Sequence, residues 1–359
     1  MPRPIAWAAA SALFLCLAAN AQAQDPTPID PYWSLIHDHT VLDDLKLTAE
    51  QRKTWHQVLD PLDLECFPLR NKPAAEAEPV ASRLNSDAKS KIAKILRPQQ
   101  TQRLDQLVVR AQGPGTLLRD DIAAKTKLTD KQRSDIRQAV VDARDARNKL
   151  QQDLRAAKLE TADAEKEMAK INRAESDAVN KILSDDQKRT LAGLIARDFD
   201  LAKLGRTSYK TPDLIAGPSD WLNSPPLTPD SLRGRVVVIH FFAFGCINCI
   251  HNYPTYRQWQ DDLAGKDVHI IGIHTPETKT EHNIETLKSK LSAEGLNFPV
   301  IVDNEKANWN AWGNSMWPSV YILDRRGYMR SFWAGELKWQ GATGDQQMRK
   351  TIDTLLAEK

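Results

Sequence analysis

The run RVVVIHFFAF at 235–244 leads directly into Gly245 and then Cys246-Ile247-Asn248-Cys249. This junction narrows the folds open to the chain more than any other feature. A continuously apolar segment, β-branched at its start, reads as a central strand buried on both faces. It is followed by DVHIIGIHTP at 267–276, a helical stretch near 281–294, FPVIVDN at 298–304 and SVYILDRRGYMRSFWAG at 319–335. Within the last, Asp324-Arg325-Arg326-Gly327 is a hairpin turn. A helix from about Gly344 to Lys359 closes the chain. That order predicts an α/β layered domain with the cysteines where a strand hands over to a helix.

Such a pair can clamp a metal, staple the fold or cycle as a redox couple, and its position bears on the choice. Cys246 at a helix N-terminus faces unsatisfied amides and the positive end of the dipole, which favours thiolate. Cys249, one turn on, lies deeper and is expected to stay protonated. The pair can then form a disulfide, open it on a partner and close again through a mixed disulfide.

The compartment is read from residues 1–23. Arg3, an apolar stretch from Ile5 to Ala18 and Ala21-Gln22-Ala23 describe a cleavable secretory signal. Cys16 follows Leu15, where a lipoprotein needs a small residue. The expectation is a periplasmic or otherwise exported protein starting near Gln24, with no membrane span in the mature chain. Removal of the signal leaves Cys66, Cys246 and Cys249, an odd count that argues against a purely structural disulfide framework. A net charge of +2 from scattered basic residues gives no footprint for nucleic acid or anionic lipid.

With 359 residues, the chain is long enough for two domains. Residues 24–205 are rich in Ala, Lys, Asp, Glu, Gln, Arg and Leu and predict an all-helical domain. Ile136, Val140, Ala143, Leu150 and Leu154 form a stripe interrupted by Arg147, continued by Ala164, Met168, Ile171, Ala174, Ala178 and Ile182. Two antiparallel helices joined near 160–163 would bury these stripes. LTAEQR at 47–52, LTDKQR at 128–133 and LSDDQK at 183–188 each place Thr or Ser three residues before Gln, and LRPQQTQRL at 96–104 is a proline-started variant. Each is a capping box, and the alternation suggests duplicated helical hairpins. The spacing resembles the LTxxQ repeats of Spy/CpxP-type periplasmic proteins. His37 and His39 lack a metal-binding frame. A Pro- and Ser-rich stretch marks the boundary, with 206–219 as linker and 220–359 as the second domain.

By LRGRVVVIHFFAFGCINC, Pro254, GIHTPE at 272–277 and WGNSMWPSVYILDRRG at 312–327, the region 220–359 resembles the thioredoxin superfamily. More narrowly it resembles the exported TlpA/DipZ type of cytochrome c biogenesis. The resemblance implies a thioredoxin-like α/β fold, a central mixed sheet flanked by helices, preceded here by the all-α domain. It implies thiol-disulfide exchange with protein partners and a separate redox partner, without cofactor or metal. Cys246 would attack and Cys249 resolve, and Pro318 would be cis and face the cysteines. His240 stands where thioredoxin carries a buried acid, as a candidate acceptor for the Cys249 proton at a pKa near physiological pH. Phe244, Trp317, His274 and Glu277 are candidates for the substrate groove, Trp317 narrowing access and making the enzyme selective. His251 is a further rim candidate, and Glu336 a candidate supporting group. The uncharged Ile247-Asn248 dipeptide leaves the helix end as the main influence on the thiolate.

Two alternatives remain at this level. Cys246, Cys249 and His251 or His274 could handle copper or zinc, or the helical half could be a partner-binding or assembly module. A peroxidase reading fits poorly, and CINCIH is not a haem-attachment motif. Cys66 is either a buried thiol or a cross-link to Cys246.

Overall fold

The computed structural model describes residues 30–358 apart from 156, 157 and 160; the candidate signal at 1–23 lies outside them. The chain divides into two compact units that do not follow chain order. One comprises the residues up to Trp55 together with Asp87–Thr207, and the other His56–Ser86 together with Ser208–Lys359.

The first unit is helical, and its sequence echo has a three-dimensional counterpart. Lys46 and Lys127 both take φ of 50°, turning the chain into Leu-Thr-x-x-Gln. Thr48 Oγ1 accepts from the Gln51 amide at 3.2 Å while Gln51 Oε1 accepts from the Thr48 amide at 3.0 Å. Thr129 with Gln132 and Ser184 with Gln187 repeat this exchange, so each helix start is reciprocally capped. The glutamines then meet in pairs. Gln51 Nε2 donates to Gln100 Oε1 at 2.9 Å and Gln100 returns the bond at 3.3 Å. Gln132 and Gln187 do the same at 2.9 Å both ways. Each amide also reaches a backbone carbonyl, of Ile95, Leu45, Ile182 and Lys127 respectively. Even the following arginines match: Arg52 binds Leu42 O and Asp43, and Arg133 binds Leu118 O and Asp120.

Helices Asp130–Arg155 and Thr161–Ile182 pack along each other. Ile136, Ala143 and Leu150 are buried, whereas Leu154 at the end of the stripe is exposed. Arg147, the interruption, donates to Asn172 Oδ1 at 3.0 Å and pairs with the buried Glu175 of the facing helix. A charge in an apolar stripe is thus matched by its opposite.

In the second unit seven strands form one sheet: β1 (Tyr209–Lys210), β2 (Trp221–Leu222), β3 (Val236–Phe242), β4 (Val268–His274), β5 (Val300–Val302), β6 (Ser319–Leu323) and β7 (Tyr328–Ala334). The order is β1-β7-β6-β3-β4-β5-β2. β3 lies parallel to β4 and antiparallel to β6, β4 is parallel to β5, and β6 turns through Asp324–Gly327 into antiparallel β7. This is a thioredoxin-like mixed sheet. Every residue of β3 is buried, and the two-residue alternation of a strand sends its side chains to opposite cores. Val236, Val238 and Phe242 join Cys249, Tyr253, Tyr256 and Trp259 of helix Ile247–Asp262 and Met348, Ile352 and Leu355 of helix Gly344–Ala357. Val237, Ile239 and Phe241 join Phe67, Trp309, Trp312 and Tyr321. Composition cannot reveal which core a segment covers. Residues 56–86, helical and within the half read as helical, belong to the sheet-bearing unit, and the stretch read as linker supplies edge strand β1.

Gln132→Ala removes a cap and both bonds of the amide clasp with Gln187 and is expected to lower helical-unit stability by about 2–3 kcal/mol. Gln138→Ala, on the exposed face, should stay within about 0.5 kcal/mol. Urea denaturation followed by far-UV circular dichroism compares them; equal effects would contradict the clasp.

Candidate active site

β3 ends at Phe242, and four residues later Cys246 caps helix Ile247–Asp262 in extended conformation. Its carbonyl accepts from the amides of Cys249 and Ile250 at 3.0 and 3.1 Å. Cys246 is 8% exposed and Cys249 fully buried, both in the core cluster under the helix. From the other side of β3, β6 pairs Ser319 with Phe241, which brings the cis Trp317–Pro318 bond to the same end of the sheet. Trp317 packs against the cluster holding both cysteines, stacks on Trp309 at 3.8 Å, and donates from Nε1 to Thr275 O, just beyond β4, at 3.0 Å. Cysteines, β4 end and proline loop thus converge at the carboxyl ends of the parallel strands, where open α/β sheets bind ligands.

The two thiols are driven apart in acidity. A hydrogen bond from the Cys249 thiol, opposed by burial and aided by the backbone amides of Cys249 and Asn248, brings Cys246 down to about 7; Glu277 pushes the other way. Burial first, then its bond to Cys246, drives Cys249 far above an ordinary thiol. The stabilisation of the thiolate therefore comes first from its partner sulfur and second from the helix end, which reverses the weighting expected from the Ile247-Asn248 dipeptide. One sulfur is a thiolate near neutrality and the other a proton-holding thiol.

The other sequence candidates divide. Phe244 is half-buried and stacks on His274 at 5.3 Å, and Glu277 is exposed within electrostatic reach of both cysteines. His274 is not a rim residue. It is fully buried under Phe244 and beside Phe242, because the end of β4 is covered on both faces, and burial pushes its imidazole down to about 4. His240 is likewise buried, boxed by Tyr256 at 4.2 Å, Phe298 at 4.9 Å and Phe242 at 5.1 Å. Neither of its ring nitrogens has a hydrogen-bond partner among the described residues. Burial takes its pKa to about 3, which corrects the expectation of a value near physiological pH: a charged imidazolium finds no solvent or counter-charge in an aromatic box. His251 is exposed and pairs with Glu336 at 2.9 Å. Cys66, partly buried, and both site cysteines are thiols. Among the described residues no cluster of three metal-ligating side chains occurs, around His37 and His39 or at the cysteines.

Two residues that support the site were missed by sequence reasoning. Glu281 is buried, and its carboxylate accepts from the amides of Gly245, Glu277 and Thr278 at 2.7, 2.8 and 2.7 Å. It ties the loop before Cys246 to the loop after β4. Burial raises its pKa, but the amides of Thr278, Gly245 and Glu277 outweigh that and hold it below the ordinary carboxylate value. A Cβ on Gly245 would come within 2.7 Å of Glu281 Oε1, so glycine is what permits the approach. The signal was present as Thr278-x-x-Glu281, a capping-box pattern. Asn252 is also buried, accepting from the Leu337 amide at 2.8 Å and donating to Tyr256 Oη at 3.3 Å. It anchors the helix one turn after Cys249.

Residues 222–332 match the model of the AhpC/TSA family. The C-terminal part thus carries a thioredoxin-like domain of redoxin type. The redoxin domain is 34% identical over 144 residues to protein DipZ of Mycobacterium tuberculosis, covering 39% of this chain and 20% of that protein. The chain thus spans about a fifth of the length of that relative. It is 23% identical over 144 residues to the thiol-disulfide oxidoreductase YkuV of Bacillus subtilis, covering 40% of this chain and 93% of YkuV. A solved thiol-disulfide isomerase from Corynebacterium glutamicum is 25% identical, with 42% of this chain and 98% of that one covered and a TM-score of 0.35.

In the reduced protein, the rate of iodoacetamide alkylation is expected to rise with pH as a single titration with its midpoint near 7. The modified residue should be Cys246, with Cys249 untouched up to about pH 9. Peptide mass mapping of the products identifies the residue. A midpoint near 9, or equal labelling of both cysteines, would contradict the split.

Proposed function

We propose that the redoxin domain is a thiol-disulfide oxidoreductase that reduces or exchanges disulfides in selected extracytoplasmic protein partners. The observation that carries this reading is the placement of Cys246 at the cap of a helix with Cys249 fully buried one turn on, an arrangement that splits their acidity. The Cys246 thiolate attacks one sulfur of a substrate disulfide, forming a mixed disulfide and expelling the other sulfur as thiolate. Cys249 then attacks Cys246 Sγ, closing the enzyme disulfide and releasing the second substrate sulfur. The proton of Cys249 ends on a substrate sulfur, so two electrons pass to the substrate and two enzyme sulfurs are oxidised. A separate dithiol donor must then restore the pair. His240 stays neutral through this cycle and fills its aromatic box.

Several features support a protein partner. Ile247 and Met316, which neighbour Cys246 and Trp317 in the chain, are large apolar side chains left exposed, at 59% and 48%. Beside them Trp317 is pinned by stacking and by its bond to Thr275, a fixed wall that favours some partners over others. The leader-like pattern of residues 1–23 supports action outside the cytoplasm, and among the described residues no helix is long and apolar enough to cross a membrane.

Trapping tests the reading. Cys249→Ser should accumulate a mixed disulfide through Cys246 with a disulfide-bonded protein such as insulin, seen on non-reducing gels and by mass mapping. Cys246→Ser should form none and lose turnover by at least about 10³-fold. Full exchange activity in Cys246→Ser would overturn the assignment.

A further inference from the structure

The family match begins at residue 222, yet one core of the redoxin sheet is completed from far upstream. Phe67 opens the short 3-10 segment Phe67–Asn71 and is buried against Trp312, edge to face at 5.6 Å. The guanidinium of Arg70 lies over the rings of Phe67, Tyr321 and Phe332 at 4.1, 5.2 and 5.1 Å. It donates to its own turn at Phe67 O at 2.6 Å, and also to the carbonyl of Trp312 and the hydroxyl of Tyr321. Asn71 Nδ2 donates to Gly313 O. Pro68 lies so close to Gly313 that a Cβ there would stand 2.6 Å from Pro68 Cα, and Gly313 has φ of +57°. Tyr321, held by Arg70, itself donates to Asn314 Oδ1 at 2.6 Å. Three consecutive residues, Trp312, Gly313 and Asn314, are therefore fixed by one upstream segment, two directly and one through Tyr321. They form the base of the loop that ends in Trp317–Pro318.

We infer that Phe67–Asn71 is a strap that sets the Trp317–Pro318 wall of the substrate groove, with Arg70 as its positioning residue. The inference rests on the proposed oxidoreductase function. A planar fork can hold a carbonyl, a hydroxyl and its own turn at once while stacking on aromatic faces, which an ammonium cannot do. The strap acts on the wall: its contacts fall on Trp312, Gly313, Tyr321 and Phe332, and the largest influences on Cys246 and Cys249 come from other residues. Losing it should therefore weaken recognition of a bulky protein disulfide, which must lie along the wall. A small disulfide reaches the Cys246 thiolate without that wall.

The test uses the full chain with two probes, insulin recycled by dithiothreitol and the small disulfide 5,5′-dithiobis(2-nitrobenzoate). Arg70→Ala is expected to raise KM for insulin about tenfold with kcat changed less than about threefold. Its rate with the small disulfide and its equilibrium constant with glutathione should stay within about twofold of the parent. Arg70→Lys should recover part of the loss. Asn71→Ala, which removes only the bond to Gly313, should raise KM by about two- to threefold. An unchanged KM for insulin in a folded Arg70→Ala protein would overturn the strap. If Arg70→Ala loses its near-UV circular dichroism, Asn71→Ala decides: a raised KM with an unaltered small-disulfide rate upholds the inference, and no change overturns it. Insulin turnover persisting in Cys246→Ser would instead refute the oxidoreductase reading and leave the strap geometry standing.

Discussion

Cys249, fully buried one turn into the helix that Cys246 caps, stabilises the Cys246 thiolate, and the rest of the site follows from that pairing. It requires one sulfur buried and the other at the rim, which in turn requires a helix that starts where a buried strand ends. β3 meets that requirement because none of its side chains reaches solvent. A strand packed on both faces cannot shift register by one residue without sending each row of side chains into the other, differently shaped core, so the position of Cys246 is set by two cores at once. Glu281 adds a local tie, collecting amides from both loops that border the cysteines. With its carboxyl held below its ordinary pKa, this tie persists at neutral pH and weakens only as pH falls through that lowered value.

The helical unit is organised on a different principle. Its order depends on a repeated clasp of capping glutamines, each satisfying an orphan amide of its own helix and a carbonyl or amide of another. A side chain with one acceptor and two donors suits this, since a carboxylate would lose the donors and a lysine the acceptor. The match of Lys46 with Lys127 and of Arg52 with Arg133 extends the equivalence beyond the cap.

Much of the redoxin fold was legible because it is written in local pattern. The unbroken apolar run of β3, the hairpin turn at Asp324–Gly327 and the proline before Ser319 each constrain backbone within a few residues. What was not legible depends on burial or on distance along the chain. His240 matched a functional position, but its displaced pKa comes from Tyr256, Phe242 and Phe298 closing around it. His274 read as a rim residue because the sequence does not show that Phe244 folds over it. Phe67 and Arg70 carry no signal at all, since their partners Trp312 and Tyr321 lie some 240 residues away. Glu281 sits between these cases, visible as a capping pattern though not as the tie to Gly245.

The central claim is that Cys246 and Cys249 form one reversible two-electron couple, and equilibration of the whole protein with glutathione buffers tests it most directly. A thiolate with its pKa near 7 resembles that of thioredoxin, so the account predicts a single transition near about −270 mV, with Cys246 and Cys249 as the only residues oxidised. A potential near about −120 mV would mean a thiolate far more stabilised than this site makes it. Failure of the pair to oxidise, or oxidation that recruits Cys66, would contradict the account outright.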